Sequence, residues 1–294
     1  MRGMSATEYN LPSKLDLGVL HDAPVSDDPP YLPASDGLLA RKSGEWAKRK
    51  HHYLRNYCGI TTKSMRNKWK LVYVDVMAGP GRCKIKETGE EFPGSPFVAL
   101  EHNFAEYILI EDDPSLAAAL KQRVAMHPNA RKVKVIPENW VAVLNSGKLK
   151  FDASTLVVAF VDPTGISQTP LAAMKALARN PKIDLLVTIQ HRLGIVWNTP
   201  QYRRSANGQN ALDAFLGDSS WRQWNDRTPS EFGRLVVEQF CEKFKREGFI
   251  NTRHVSVPEN NPLYRFTLFS RHPRGEDFWL KVLKIDEKGQ RELF

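Results

Sequence analysis

Between Trp69 and Arg271 the chain alternates apolar, β-branched runs with helical stretches, and its last two runs are only four residues apart. The runs predict strands over 71–76, 106–111, 133–137, 155–161, 183–190, 252–257 and 263–270. Helical patterns fall between them, over about 95–103, 114–126, 139–147, 169–179 and 229–247, and "GEDFWLKVLKIDEK" reads as a final helix. Strands that alternate with helices imply a mostly parallel sheet covered on both faces. "RHVSVP" and "LYRFTLFSR" are joined by "ENNP", too short for a parallel crossover, so they are expected to pair antiparallel.

Five α/β units followed by such a hairpin is the element order of the class I methyltransferase fold. The expected fold is therefore α/β and Rossmann-like: a mostly parallel seven-stranded sheet, an antiparallel C-terminal hairpin, an N-terminal helical extension and an insertion after the fifth strand. Residues 1–42, with "HDAPVSDDPPYLPASDG", read as an irregular N-terminal arm. The domain proper is expected over 43–294, with Ser43 capping a helix over about 44–58 and the insertion spanning 191–228. The insertion carries Trp197, Trp221, Trp224 and several arginines.

The chain has 294 residues, 42 Lys and Arg against 33 Asp and Glu, and a formal net charge of +9. That balance suits a polyanionic partner, with nucleic acid expected, and equally a basic protein that has none. "RKSGEWAKRKHHYLRNY" and "TTKSMRNKWK" place cations and aromatics ahead of the first strand, where Lys48, Arg49, Lys50, Arg66 and Lys68, with Arg82 further on, would attract phosphate. No apolar run reaches the roughly 20 residues of a membrane span, and no signal-peptide core opens the sequence; a cytoplasmic protein without membrane contact is expected. Cys58, Cys83 and Cys241 lack paired spacing, which points to reduced thiols rather than a disulfide or zinc framework.

The chemistry concentrates at strand ends. "LVYVDVMAGPG" (71–81) runs a buried strand into a turn with Asp75, Ala78, Gly79 and Gly81. In open parallel sheets ligands bind at the carboxyl ends of strands, and glycines let the backbone come close to them. A dinucleotide fits poorly: the third glycine of G-x-G-x-x-G is missing and Pro80 removes a donor. "YILIEDD" puts Glu111 where one carboxylate could hold both hydroxyls of a ribose, with Asp112 or Asp113 left to cap the next helix. "VIPENW" puts Asn139 where an amide could meet an adenine edge or simply cap a helix. The three strand ends together suit an adenosine ligand without a diphosphate, as S-adenosylmethionine is.

The fourth strand ends in "DPTG", so Asp162 and Pro163 face the same crevice as candidate catalytic groups. In enzymes that methylate exocyclic amines, an Asp/Asn-Pro-Pro-aromatic turn stands here; its side chain and a backbone carbonyl accept from the amine and its ring stacks on the base. The second proline and the ring are absent, and a plain aspartate turn is the alternative. "PGSP" places Ser95 at a helix start whose free N–H groups could take a carboxylate or phosphate. The eight histidines show no metal-ligand spacing, and no metal is expected.

In combination, "VYVDVMAGPGR", "FPGSPFVAL", "YILIEDD", "AFVDPTG" and "RHPRGEDFW" resemble the three-Cys-motif partner protein (TcmP) family over about residues 45–285. That resemblance implies a methyltransferase-like fold and a partner protein carrying a three-Cys motif. The chain is more distantly similar to the large-subunit ribosomal RNA adenine-N6 methyltransferases of bacteria. The shared features are Lys50-His51, the Asp75–Gly81 turn, Pro93–Pro96 and, in part, Asp162-Pro163. This likeness implies methyl transfer from S-adenosylmethionine, with Lys50, His51, Arg82 and Ser95 on the substrate side. Methyl transfer to RNA or DNA is the expectation; the alternatives are a non-catalytic module that binds nucleic acid or a partner protein, and a methyltransferase of a protein or small molecule.

Overall fold

The computed structural model describes residues 29–205, 210–250, 254–258 and 262–285. In chain order its elements are β1 (Tyr31–Pro33), β2 (Leu39–Ser43), α1 (Trp46–Met65), β3 (Lys70–Asp75), β4 (Arg82–Ile85), β5 (Glu91–Pro93) and α2 (Ser95–Leu100). Then come β6 (Glu106–Ile110), α3 (Pro114–Ala125), β7 (Val133–Ile136), α4 (Trp140–Asn145), β8 (Thr155–Val161), α5 (Leu171–Ala178) and β9 (Ile183–Ile189). The chain continues through α6 (Thr199–Arg204), α7 (Ala211–Leu216), α8 (Pro229–Arg246), β10 (His254–Val257), β11 (Tyr264–Phe269) and α9 (Pro273–Val282).

The seven-stranded sheet has the order β10-β11-β9-β8-β3-β6-β7. β3 pairs parallel with β6 and β8, β6 with β7, and β8 with β9, while β11 runs antiparallel to both β9 and β10. This is the expected class I methyltransferase-like α/β sheet, with the antiparallel hairpin at the place of the short "ENNP" link. β3, β8 and β9 are buried on both faces, hence their unbroken apolar runs. Their side chains divide by the period of two. Val72, Val74, Val157 and Ala159 join Trp140, Met174, Phe232 and Phe240 on one face. Leu71, Tyr73, Val158 and Phe160 join Leu54, Tyr57, Leu120 and Trp279 on the other. Each fully buried Leu or Phe in these layers contributes roughly 1.5–3 kcal/mol.

Two expectations are corrected at the N-terminus. The irregular arm was drawn through residue 42, but Tyr31–Pro33 and Leu39–Ser43 are strands of a second sheet, ordered β1-β2-β4-β5. Its β4–β5 hairpin, inside the stretch between the glycine turn and α2, had no sequence signal. Ser43 does not cap α1; it ends β2, and the first helical turn follows Glu45 without a side-chain cap. The part of the arm before residue 29 lies outside the described residues. The insertion packs on the α8 face of the sheet through Tyr202, Leu212, Phe215 and Trp221.

Candidate functional site

The turn after β3 is held to its neighbour by the main chain. Ala78 N–H donates to Ile110 O at 2.8 Å and Gly79 N–H to Glu111 Oε2 at 2.7 Å, which fastens the turn to the end of β6. Gly79 and Gly81 have φ of 63° and 81°, the left-handed region that favours glycine. Their surroundings differ. A Cβ on Gly79 would meet nothing within 4 Å, whereas one on Gly81 would lie 2.7 Å from Phe97 and 2.9 Å from Leu120. Gly79 is therefore the open face of the turn and Gly81 its packed base. The start of α2 lies directly against it: Gly94 N–H donates to Gly81 O at 3.0 Å, and a Cβ there would approach the Gly81 carbonyl carbon to 2.9 Å.

Asp75, one of the ligand-side candidates at the end of β3, is fully buried. It accepts hydrogen bonds from Tyr73 Oη at 3.2 Å, from Met77 N–H at 3.4 Å and from the Ser95 hydroxyl, so it braces the turn from beneath. Burial, reinforced by Asp162, raises its carboxyl to about 7 against those hydrogen bonds. Glu111 is buried beside the turn and accepts from Gly79 N–H and, at 3.0 Å, from Asp113 N–H. Desolvation raises its carboxyl too. Asp113 caps α3 through Ser115 N–H and Leu116 N–H, leaving Glu111 to the turn. Asn139 takes the capping alternative: it is the N-cap of α4 and accepts from Val141 N–H at 3.0 Å.

Asp162 and Pro163 stand where the sequence places them, at the carboxyl end of β8. The Lys50 ammonium, brought in by α1, pairs with Asp162 Oδ2, and the two side chains are only 6% and 11% exposed. Asp162 Oδ1 is buried without a well-formed hydrogen bond, although the Thr188 hydroxyl also reaches this carboxylate. Burial alone would raise the Asp162 carboxyl, but Lys50 and Arg41 more than offset it and hold it below its ordinary value. The Pro163 carbonyl accepts from Gln190 Nε2 at 2.6 Å. One oxygen of the Asp162 carboxylate and the Pro163 carbonyl are therefore engaged by the chain's own Lys50 and Gln190. Thr164, at the second-proline position, bonds Gln168 through its N–H and hydroxyl.

The residues expected on the substrate side all reach this crevice, yet in structural roles. Lys50 is the buried partner of Asp162, and Ser95 of Asp75. His51 is buried, with its ring centroid 5.8 Å from that of Phe92; desolvation and Lys50 push it down to about 3, so it is neutral. Arg82 pairs with Glu91 at 3.1 Å across β4 and β5.

Sequence reasoning missed what covers the crevice. Arg41 and Ser43 of β2 and Trp46 of α1 close over Lys50, Gly79, Asp162 and Gln190, leaving a free volume of about 40 Å³. Sites for small organic ligands commonly enclose roughly 300–1,000 Å³. β1 and β2 are fastened there by Arg123, which donates to both Asp36 oxygens at 2.8 Å, to Leu39 O at 2.7 Å and to Pro80 O at 2.6 Å. Tyr31, half-buried on β1, feels the carboxylates of Glu111, Asp113 and Asp112. The strap thus runs across the ends of β3 and β6.

The sequence cluster of cations is also divided. Lys48 pairs with Glu90 and Glu45 near the crevice, while Arg66 and Lys68 lie past the far end of α1, whose 20 residues span about 30 Å. Of the insertion tryptophans, Trp221 is fully buried and Trp224 packs on the core, but Trp197 is 54% exposed just beyond β9.

No family model and no curated protein matches the sequence. Among solved structures, the fold is similar to a Legionella pneumophila protein of family-model DUF519, with a TM-score of 0.50 and 15% identity over 82% of this chain and 92% of that one. Trm1 from Pyrococcus horikoshii, in complex with S-adenosyl-L-methionine, superposes at a TM-score of 0.49 with 12% identity over 92% of this chain and 67% of that one. The first of these is a likeness of fold alone.

Proposed function

We propose that the chain is an S-adenosylmethionine-dependent methyltransferase acting on nucleic acid, and that its β1–β2 strap must lift before the cofactor enters. The observation that carries this reading is the convergence at the carboxyl ends of β3, β6 and β8. An open glycine, a carboxylate bonded to that glycine, and a second carboxylate that has one buried oxygen lacking any partner but the nearby Thr188 hydroxyl meet there. The open side of Gly79 and Asp162 Oδ1 suit an adenosyl ligand beside an acceptor; the 40 Å³ volume does not, and this requires the movement.

Gly79 and Ala78 would line the cofactor, Glu111 would meet its ribose and Asn139 would border its base. S-adenosylmethionine supplies a methyl group already activated on a sulfonium, so positioning is the protein's main task. Asp162, kept ionised by Lys50, would accept a hydrogen bond from the acceptor nucleophile through Oδ1 and set its approach. His51, neutral with a pKa of about 3, is too weak a base to take the acceptor's proton. The exposed Trp197 at the carboxyl rim, with the net charge of +9, supports a nucleic-acid substrate that stacks a base.

The engagement of Asp162 by Lys50 and of Pro163 by Gln190 favours a second reading, a non-catalytic module that binds nucleic acid or a partner protein. Calorimetry with S-adenosylmethionine, followed by tritium transfer to total RNA and DNA, separates the two. The expected result is saturable binding, with transfer abolished by Asp162→Asn while binding persists. Binding with no transfer would favour the second reading, and no binding by wild type or by a strap-released variant would remove the first.

A further inference from the structure

A second cavity lies at the opposite end of the sheet. It encloses about 530 Å³ at the amino ends of β3, β8 and β9, where the C-terminus of α1 meets the start of α9. Trp69, Leu156, Ile183 and Phe278 give it an apolar wall. Its rim holds four cations that are far apart in sequence: Lys68, Lys182, Arg271 and Arg274.

These four cations face one opening together without a carboxylate to pair with among the described residues, whereas many cations elsewhere on the molecule are paired. Lys48, Arg55, Lys70, Arg82, Lys134 and Lys148 each pair with a carboxylate. Among the described residues none of the four rim cations has a carboxylate within ion-pair distance; Lys182 donates to Ala153 O, and Arg271 donates to Ala178 O and Glu247 O, lies over the Phe249 ring and feels the Glu247 carboxylate from further off. Lys182 also lies 4.4 Å from the centroid of the Trp69 ring. The carboxylate in the wall, Asp184, accepts from Tyr57 Oη at 2.8 Å and from Ser270. Burial raises its carboxyl, and the hydrogen bonds from Ser270 and Tyr57 oppose the shift.

A packing gap between helices needs no such ring. Four like charges within one small opening repel one another, and an apolar wall beside them gains by excluding water. From this cavity and its rim the geometry points to a second binding site, separate from the crevice, that takes a small amphipathic anion: an apolar or aromatic body in the cavity and a carboxylate, sulfonate or phosphate against Lys68 and Arg274. The segment "RHPRGEDFW", which the crevice leaves unused, supplies Arg271, Arg274 and Phe278 to it.

The test is a fluorescence titration of the full chain with 8-anilinonaphthalene-1-sulfonate, compared with the uncharged N-phenyl-1-naphthylamine. The sulfonate is expected to bind at one saturable site and more tightly than the neutral dye. Its affinity should fall at least tenfold in the Lys68→Glu/Arg274→Glu variant, whose urea midpoint should match wild type because both side chains are exposed. Equal affinity for the two dyes, no saturation, or an unchanged Kd in a folded variant would overturn the site. Octanoate and adenosine monophosphate then compete as displacers. Displacement by octanoate assigns an acyl carboxylate and by the nucleotide an aromatic phosphate; displacement by neither overturns the proposal. An outcome here leaves the crevice reading untouched, since no residue is shared.

Discussion

The Asp75 carboxyl lies fully buried beneath the glycine turn, and burial together with Asp162 lifts it from 3.8 to about 7. Between those values the folded chain keeps a proton that the unfolded chain has released. The associated stability is thus fully present below the unfolded value and is lost as pH rises through the folded one. Asp75→Asn should remove this dependence. From about pH 4 to pH 8 wild type should lose a few kcal/mol relative to the variant, read from paired urea melts. The Lys50–Asp162 pair is a second residue-scale test. Lys50→Met strands a buried carboxylate and should cost about 3–5 kcal/mol, while Lys50→Met/Asp162→Asn should recover much of the loss in a double-mutant cycle. Asp162 and Lys50 were both legible in the sequence as site residues, but their pairing was not. They are 112 positions apart, and nothing local in "KRKHH" or "VDPTG" signals that one answers the other.

At the scale of elements, the strap makes the crevice of this chain different from an open one. Asp36 is held down to about 2, chiefly by its hydrogen bonds with Arg123, and this stabilisation is present above 3.8 and lost as pH falls through 2. Asp36→Ala removes the clasp at neutral pH. It should raise cleavage by a nonspecific protease within residues 31–43 and tighten S-adenosylmethionine binding severalfold, because apparent affinity scales with the open fraction. Unchanged proteolysis and affinity would show that the strap is not held by this pair. Gly94→Ala tests the contact beneath the turn: its Cβ would press on the Gly81 backbone at 2.9 Å, and a loss of about 1–3 kcal/mol is expected in thermal or urea melts. The parallel strands were readable because burial on both faces writes a continuous apolar run, as in β8 and β9. β2 and β4 were not. "LARKS" and "RCKI" are short and charged, and they are held by distant or side-chain partners, as where Arg123 donates to Leu39 O, 84 positions away, and Arg82 pairs with Glu91.

For the whole molecule, the fold places two of its openings at opposite ends of one sheet. The crevice at the carboxyl ends is closed and largely self-paired, and the cavity at the amino ends is wide and ringed by cations. The cations that precede β3 are therefore not a single patch but divide between the two ends, which their linear order concealed. If nucleic acid is the partner, affinity should fall steeply with salt, with log Kd rising linearly in log salt concentration. The most direct measurement is hydrogen–deuterium exchange with and without S-adenosylmethionine, using the Asp36→Ala variant so that the strap does not limit entry. The expected result is slower exchange in peptides covering 76–82 and 109–113, with no change around 181–184 and 270–278. Protection confined to the latter peptides, or none anywhere at saturating ligand, would contradict a cofactor site at the ends of β3 and β6.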